Sequence, residues 1–176
     1  TPTPTPLPEV DIPKPSGKEP KYGGILTVGL PNDPPEWDPF YSIVFSGGAA
    51  ITIYGDGKLV RPCRWSVYET CPGAAESWET NADFTQWTFQ LRNNLAWHDG
   101  KPFDAQSAKE ALELITLGYG KRGKHSLAPQ FGEIASIEAL SGNRVKINLK
   151  NGAPGYLQLL GRSENNLLFP PHLIKP

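Results

Sequence analysis

His98 and Asp99 stand side by side, and an imidazole next to a carboxylate is the pair that gives a general base its orienting anion. Neighbours on an extended chain point to opposite sides, however, and no Ser or Cys stands at a recognisable nucleophile turn. The pair therefore reads as part of a turn. Gly118 to Lys124, GYGKRGK, meets the GxxxxGK spacing of a phosphate-cradling loop. That motif works when a strand feeds backbone N–H donors into a helix N-terminus and a Ser or Thr follows for magnesium. Here His125 follows and a helical pattern precedes, so nucleotide binding is not expected. Glu76 and Glu79, three apart, would suit one helical face, yet no second carboxylate pair supports glycosidase chemistry. His98, His125 and His172 are too scattered to propose a metal site. The sequence offers no catalytic constellation, and the chain is read as not an enzyme.

Cys63 and Cys71 are the only cysteines, and two thiolates cannot complete a four-ligand zinc site. A disulfide is favoured over two half-buried thiols. Closing so short a loop would restrict the unfolded chain by roughly 2.5 kcal/mol and presumes an oxidising compartment.

The elements around these residues follow from periodicity. From Gln86 to Leu91, Trp87, Phe89 and Leu91 alternate with polar residues, as on a strand with one buried face. Leu95 and Trp97 repeat the period, and Asp99-Gly100 supplies a turn, because glycine takes positive φ without a Cβ clash. Asp104 stands where an N-cap belongs. Ala108, Ala111, Leu112 and Ile115 then recur at helical spacing up to Gly118, a C-cap candidate. Residues 75–118 thus read as strand, strand, turn, helix. Ile134 to Leu140 and Arg144 to Lys150 flank Ser141-Gly142-Asn143 as a β-hairpin with one buried face. Pro154 to Gly161 fits a short helix with proline at its first position. Residues 61–74 read as a loop bounded by the cysteines.

Upstream, Ile25 to Leu30 fits a short buried strand. Residues 31–50 form a long loop rich in Pro, Gly and aromatics, and loops of that length inside compact domains are usually functional or disordered. Its aromatics Trp37, Phe40, Tyr41 and Phe45 argue against disorder; they either face a ligand or pin the loop to the core. Residues 1–20 carry seven prolines, which fits a stiff, disordered tether rather than a folded element.

With 176 residues, 38% hydrophobic, 20% charged and a net charge of −1, the chain fits one soluble domain with no bias towards nucleic acid or an anionic surface. The local cluster Lys121, Arg122 and Lys124 is too narrow to change that. No apolar run approaches the roughly 20 residues a membrane-spanning helix needs. Without a start Met or a signal peptide, the chain is expected to be processed or cut from something longer.

Several stretches together resemble the extracytoplasmic solute-binding proteins of family 5, the peptide- and nickel-type receptors of ABC importers. Tyr22-Gly23-Gly24 leading into Leu26-Thr27-Val28 resembles the family's first strand, and Trp37-Asp38-Pro39 the Leu-Asp-Pro step after it. Ala75-Glu76-Ser77-Trp78-Glu79 is similar to its Ala-Glu-Ser-Trp-Glu. More specific is Trp87-Thr88-Phe89-x-Leu91-Arg92 followed by Trp97-His98-Asp99-Gly100-Lys101-Pro102-Phe103 and Ala105. Phe169-Pro170-Pro171-His172-Leu173 resembles its Pro-Lys-His-Leu segment. Residues 55–74, with the cysteines, depart from the usual short link, and Ser107-Ala108-Lys109-Glu110 from the usual acidic-Val pattern.

The resemblance implies an α+β fold: a mixed β-sheet with a few helices, forming part of the first lobe of a two-lobed periplasmic-binding-protein fold (type II, cluster C). On that reading residues 1–20 are a linker, residues 21–176 are the N-terminal portion of lobe I, and the second lobe is absent. It implies a non-catalytic receptor that captures an oligopeptide or related small solute for an ABC permease, with no cofactor and no nucleic acid. It further implies an extracytoplasmic location, membrane contact only through the N-terminal tether, and a monomer. Because the loop after the first strand borders the cleft in such receptors, Tyr41, Ser42 and Phe45 are the expected ligand-side residues. A self-sufficient secreted module that binds carbohydrate through exposed aromatics is the alternative.

Overall fold

The computed structural model describes residues 23–25, 27, 57–63, 66–118, 128, 134–162 and 167–174, with Val67 and Arg162 described by backbone only. The chain divides into two units, residues 1–31 and residues 32–176, and every element below belongs to the second. In the first, Gly23 and Gly24 both take positive φ, of 95° and 96°. Tyr41, Ser42 and Phe45 lie outside the described residues, as do the proline-rich start and nearly all of the GxxxxGK stretch.

Alternating hydrophobicity produces a four-stranded sheet in which every described pairing is antiparallel. Strands β3 (Ala75–Thr80), β4 (Gln86–Leu91), β5 (Ile134–Leu140) and β6 (Arg144–Leu149) lie in the order β3-β4-β6-β5. Trp87 stands opposite Ile147, and Ile147 opposite Ile137, so the alternation read along each strand becomes one continuous apolar face. Phe89 and Val145 extend it and are wholly buried. Helix α1 (Ala105–Leu117) lays Ala108, Ala111, Leu112 and Ile115 against that face. Burying a side chain the size of Leu112 or Ile115 stabilises the fold by about 1.5–3 kcal/mol. The opposite face is polar: the Lys146 ammonium lies 2.9 Å from Glu138, and the Asn148 amide donates to Glu138 at 2.6 Å.

The start of α1 follows its sequence signature. The Asp104 carboxylate accepts from the Ser107 N–H at 2.8 Å and the Asp104 N–H donates to the Ser107 hydroxyl oxygen at 3.0 Å, a reciprocal cap on otherwise orphaned donors. Gly118 ends the helix at φ 77°, donating to the Leu114 carbonyl. The β5–β6 turn uses Gly142 and Asn143, at φ 72° and 56°.

Four expectations change. Ile25 and Thr27, read as part of a short buried strand, are exposed and lie in no strand. Residues 61–74 are not a loop: β1 (Val60–Cys63) and β2 (Ser66–Pro72) pair antiparallel as a separate two-stranded sheet. Pro62 and Pro72 obscure this in the sequence because proline cannot donate to a ladder, and it normally marks an edge or an end. The Leu95–Trp97 repeat forms only a single bridge, Ala96 with Pro102. Helix α2 (Tyr156–Arg162) begins two residues after Pro154, because Ala153 already accepts from the Tyr156 N–H. A last short helix, α3, spans Pro171–Ile174.

Candidate functional site

The apolar sequence around Trp97 gives the site its first wall. The Trp97 N–H donates to the Lys101 carbonyl at 2.8 Å, the Gly100 N–H to the Trp97 carbonyl at 2.9 Å and the Phe103 N–H to the Leu95 carbonyl at 2.9 Å. This tight reversal requires φ 84° at Gly100. It sets Trp97 edge-on to Phe103, with ring centroids 4.8 Å apart. The second wall is the base of the β1–β2 hairpin, where Ala74 and Ala75 donate to the carbonyls of Lys58 and Leu59, both at 2.9 Å. The two chains approach so closely that a Cβ on Gly73 would lie 2.5 Å from the Lys58 carbonyl oxygen. Leu168 closes the third side, its N–H donating to the Gly57 carbonyl at 2.7 Å.

Between these walls lies a pocket of about 270 Å³ lined by Gly57, Lys58, Gly73, Ala74, Leu95, Ala96, Trp97, Phe103 and Leu168. Its surface is mostly apolar, although Lys58, a buried lysine, contributes to one wall. Arg92 ties the hairpin base to the end of β4, donating from its backbone to the Ala74 carbonyl and from Nε to the Gly73 carbonyl, both at 3.0 Å.

Asp99 takes as its partner not His98 but a residue 73 positions away: its Oδ2 lies 2.6 Å from His172 Nε2. The Asp99 Oδ1 also accepts from the Lys101 N–H at 3.2 Å. The hydrogen bond from His172 is the main reason the Asp99 carboxyl is held below its ordinary value; the Lys101 N–H adds to the effect, and partial desolvation opposes it. The pair joins the Trp97 turn to α3, and so braces the side of the pocket that carries Leu168. Among the described residues, no group of three or more His, Cys, Asp and Glu side chains gathers to hold a metal. Glu76 and Glu79 lie exposed on β3, where a three-residue spacing does not bring side chains together as it would on a helix. Cys63 and Cys71 are joined across the β1–β2 hairpin, Cα to Cα 5.0 Å.

Most described aromatics serve the core, and Tyr68 on β2 is the exposed exception among them. Trp87 is buried against Phe84 and Tyr156, with ring centroids 6.3 and 6.2 Å away. Burial pushes the Tyr156 hydroxyl far above its ordinary range.

Residues 69–172 match the family model described as "Bacterial extracellular solute-binding proteins, family 5 Middle". The chain is 33% identical over 89 residues to the nickel-binding periplasmic protein of Escherichia coli, a match covering 51% of this chain and 16% of that protein. It is 37% identical over 67 residues to the periplasmic oligopeptide-binding protein OppA of Salmonella typhimurium, covering 38% of this chain and 12% of OppA. Among solved structures, NikZ of Campylobacter jejuni in complex with Ni(L-His) superposes with a TM-score of 0.61 at 25% identity, over 82% of this chain and 27% of NikZ. The matches thus cover less than a fifth of either curated relative's length.

Proposed function

Because the chain belongs to the bacterial extracellular solute-binding proteins of family 5, we propose that it is part of an extracytoplasmic receptor that captures an oligopeptide or a related small solute and hands it to an ABC permease unchanged. One observation carries this reading: the family match runs from Glu69 to His172 and so takes in both ends of the Asp99–His172 contact, along with most of the pocket wall. Two relatives that the chain matches are nickel- and oligopeptide-binding proteins, which sets the solute classes to try first. The pocket, at about 270 Å³, falls just below the ~300–1,000 Å³ typical of whole-ligand sites. It suits one apolar side chain of a solute whose remaining contacts come from elsewhere in the receptor. Tyr41, Ser42 and Phe45 are proposed on the ligand side as well, and the Thr/Pro-rich start as a tether to the outer face of the membrane around a monomeric receptor.

The test is a thermal-shift screen of the whole receptor against di- to pentapeptides, nickel–histidine and cello-oligosaccharides. A solute present at one hundred times its dissociation constant stabilises the native state by about 2.7 kcal/mol, a readily measured rise in Tm. A rise with a peptide or with the nickel complex supports the receptor reading. A rise with a saccharide alone overturns the solute class.

A further inference from the structure

The β1–β2 hairpin stands apart from the four-stranded sheet as a two-stranded unit, and such a unit is marginal in water unless something else holds it. It is also short of ladder bonds. Pro62 pairs with Thr70 and Val60 with Pro72, so two positions in the register have no N–H to offer. A disulfide, Cys63 to Cys71, crosses the same hairpin, and helix α2 packs against it, with Gly161 close to Thr70. The two chains that leave the hairpin are the ones that wall the pocket, meeting through the Ala74 and Ala75 hydrogen bonds to Lys58 and Leu59.

We propose that the Cys63–Cys71 disulfide is a redox-sensitive staple that keeps this wall of the pocket closed, so that its reduction by a thiol parts residues 57–59 from residues 73–75 while leaving the β4–β6 and β5–β6 ladders intact. The exchange balances with a dithiol as reductant. One thiolate of the reductant attacks a sulfur of the pair, a mixed disulfide forms, and the second thiol of the reductant displaces it. The reductant leaves as a cyclic disulfide, and Cys63 and Cys71 leave as two thiols carrying the two electrons and two protons. Cys71 is only half-buried, which gives the attacking thiolate a way in, whereas Cys63 is buried. The sheet does not share the dependence, because α1 and the paired apolar faces of β4, β6 and β5 hold it. The staple is separate from the receptor reading: it concerns the wall whatever solute the pocket takes.

The experiment is amide exchange on the full chain, oxidised and after dithiothreitol, with free thiols counted by alkylation and mass. Opening the nine-residue ring raises local opening roughly 70-fold on the loop-entropy relation. Ala74 and Ala75 amides should therefore exchange tens of times faster on reduction, while amides of the β4–β6 ladder keep their rates. The Cys63→Ala, Cys71→Ala double variant should show the fast rates with or without dithiothreitol. Unchanged Ala74 and Ala75 rates with two thiols counted would overturn the proposal. So would equal acceleration across the β4–β6 ladder, which would make the bond a global stabiliser, or a response of the double variant to reductant. Should the double variant fail to fold, the wild-type comparison decides alone.

Discussion

Asn143 ends the β5–β6 turn, and its side chain holds two other elements in place. Its Oδ1 accepts from the Ala105 N–H at 2.9 Å, an amide in the first turn of α1 that has no partner within the helix. Its Nδ2 donates to the Arg92 carbonyl at 3.2 Å, just past the end of β4. The backbone sits at φ 56°, a left-handed conformation that asparagine tolerates better than most residues. Replacement by glycine keeps that φ and removes both side-chain bonds. At about 0.5–1.5 kcal/mol each, Asn143→Gly should cost about 1–3 kcal/mol. Asn143→Ala loses the same bonds and adds the left-handed penalty, about 1–2 kcal/mol more. Urea unfolding of both variants, followed by tryptophan fluorescence, gives the two numbers, and their difference isolates the backbone term from the side-chain term. If Asn143→Gly unfolds within about 0.5 kcal/mol of the wild type, the side chain does not couple turn, helix and strand as described. If glycine and alanine cost the same, the left-handed conformation is not the constraint it is taken to be.

Gly152 has no room for a side chain, since a Cβ there would lie 2.1 Å from the Asp83 carbonyl oxygen. Gly152→Ala should therefore destabilise by about 1–3 kcal/mol in the same assay, as overpacking against fixed backbone does, and a neutral result would refute that contact. Asp99 has its folded-state value lowered by His172, so the stability it contributes is full above the ordinary carboxylate range and is lost as pH falls through the lowered value. Asp99→Asn should flatten that acid-side loss in a stability-against-pH series; an unchanged series would count against the contact. Ala96 lines the pocket yet is exposed, so Ala96→Trp should fill the pocket and weaken solute binding by the whole receptor with little change in Tm. Undiminished affinity would remove the pocket from the binding surface.

Local chemistry is what the sequence displays well. Helix α1 was legible because Asp104, the apolar spacing and Gly118 all report on neighbours within one or two turns. The β5–β6 hairpin was legible for the same reason: period-two strands meet at Ser141-Gly142-Asn143, where positive φ is needed. The β1–β2 hairpin was not, because Pro62 and Pro72 carry the mark of a loop while the pairing depends on a contact across the chain. The Asp99–His172 pair was invisible for a different reason. Each residue lies in a family-like motif, but nothing in either motif says that they meet across 73 positions. Family resemblance came closer than periodicity, since it singled out both segments without their distance. The pocket is likewise a product of four separate segments, each ordinary on its own. The residues expected on the ligand side, Tyr41, Ser42 and Phe45, lie outside the described residues, so that proposal still rests on resemblance.

Capture of a solute without chemistry is checked by calorimetric titration of the whole receptor with the peptide or nickel complex that raises its Tm. Expected are saturable one-to-one binding, a negative heat-capacity change from buried apolar surface, and recovery of the solute unaltered by mass. Absence of saturable binding across both solute classes, or recovery of the solute cleaved or modified, would contradict it.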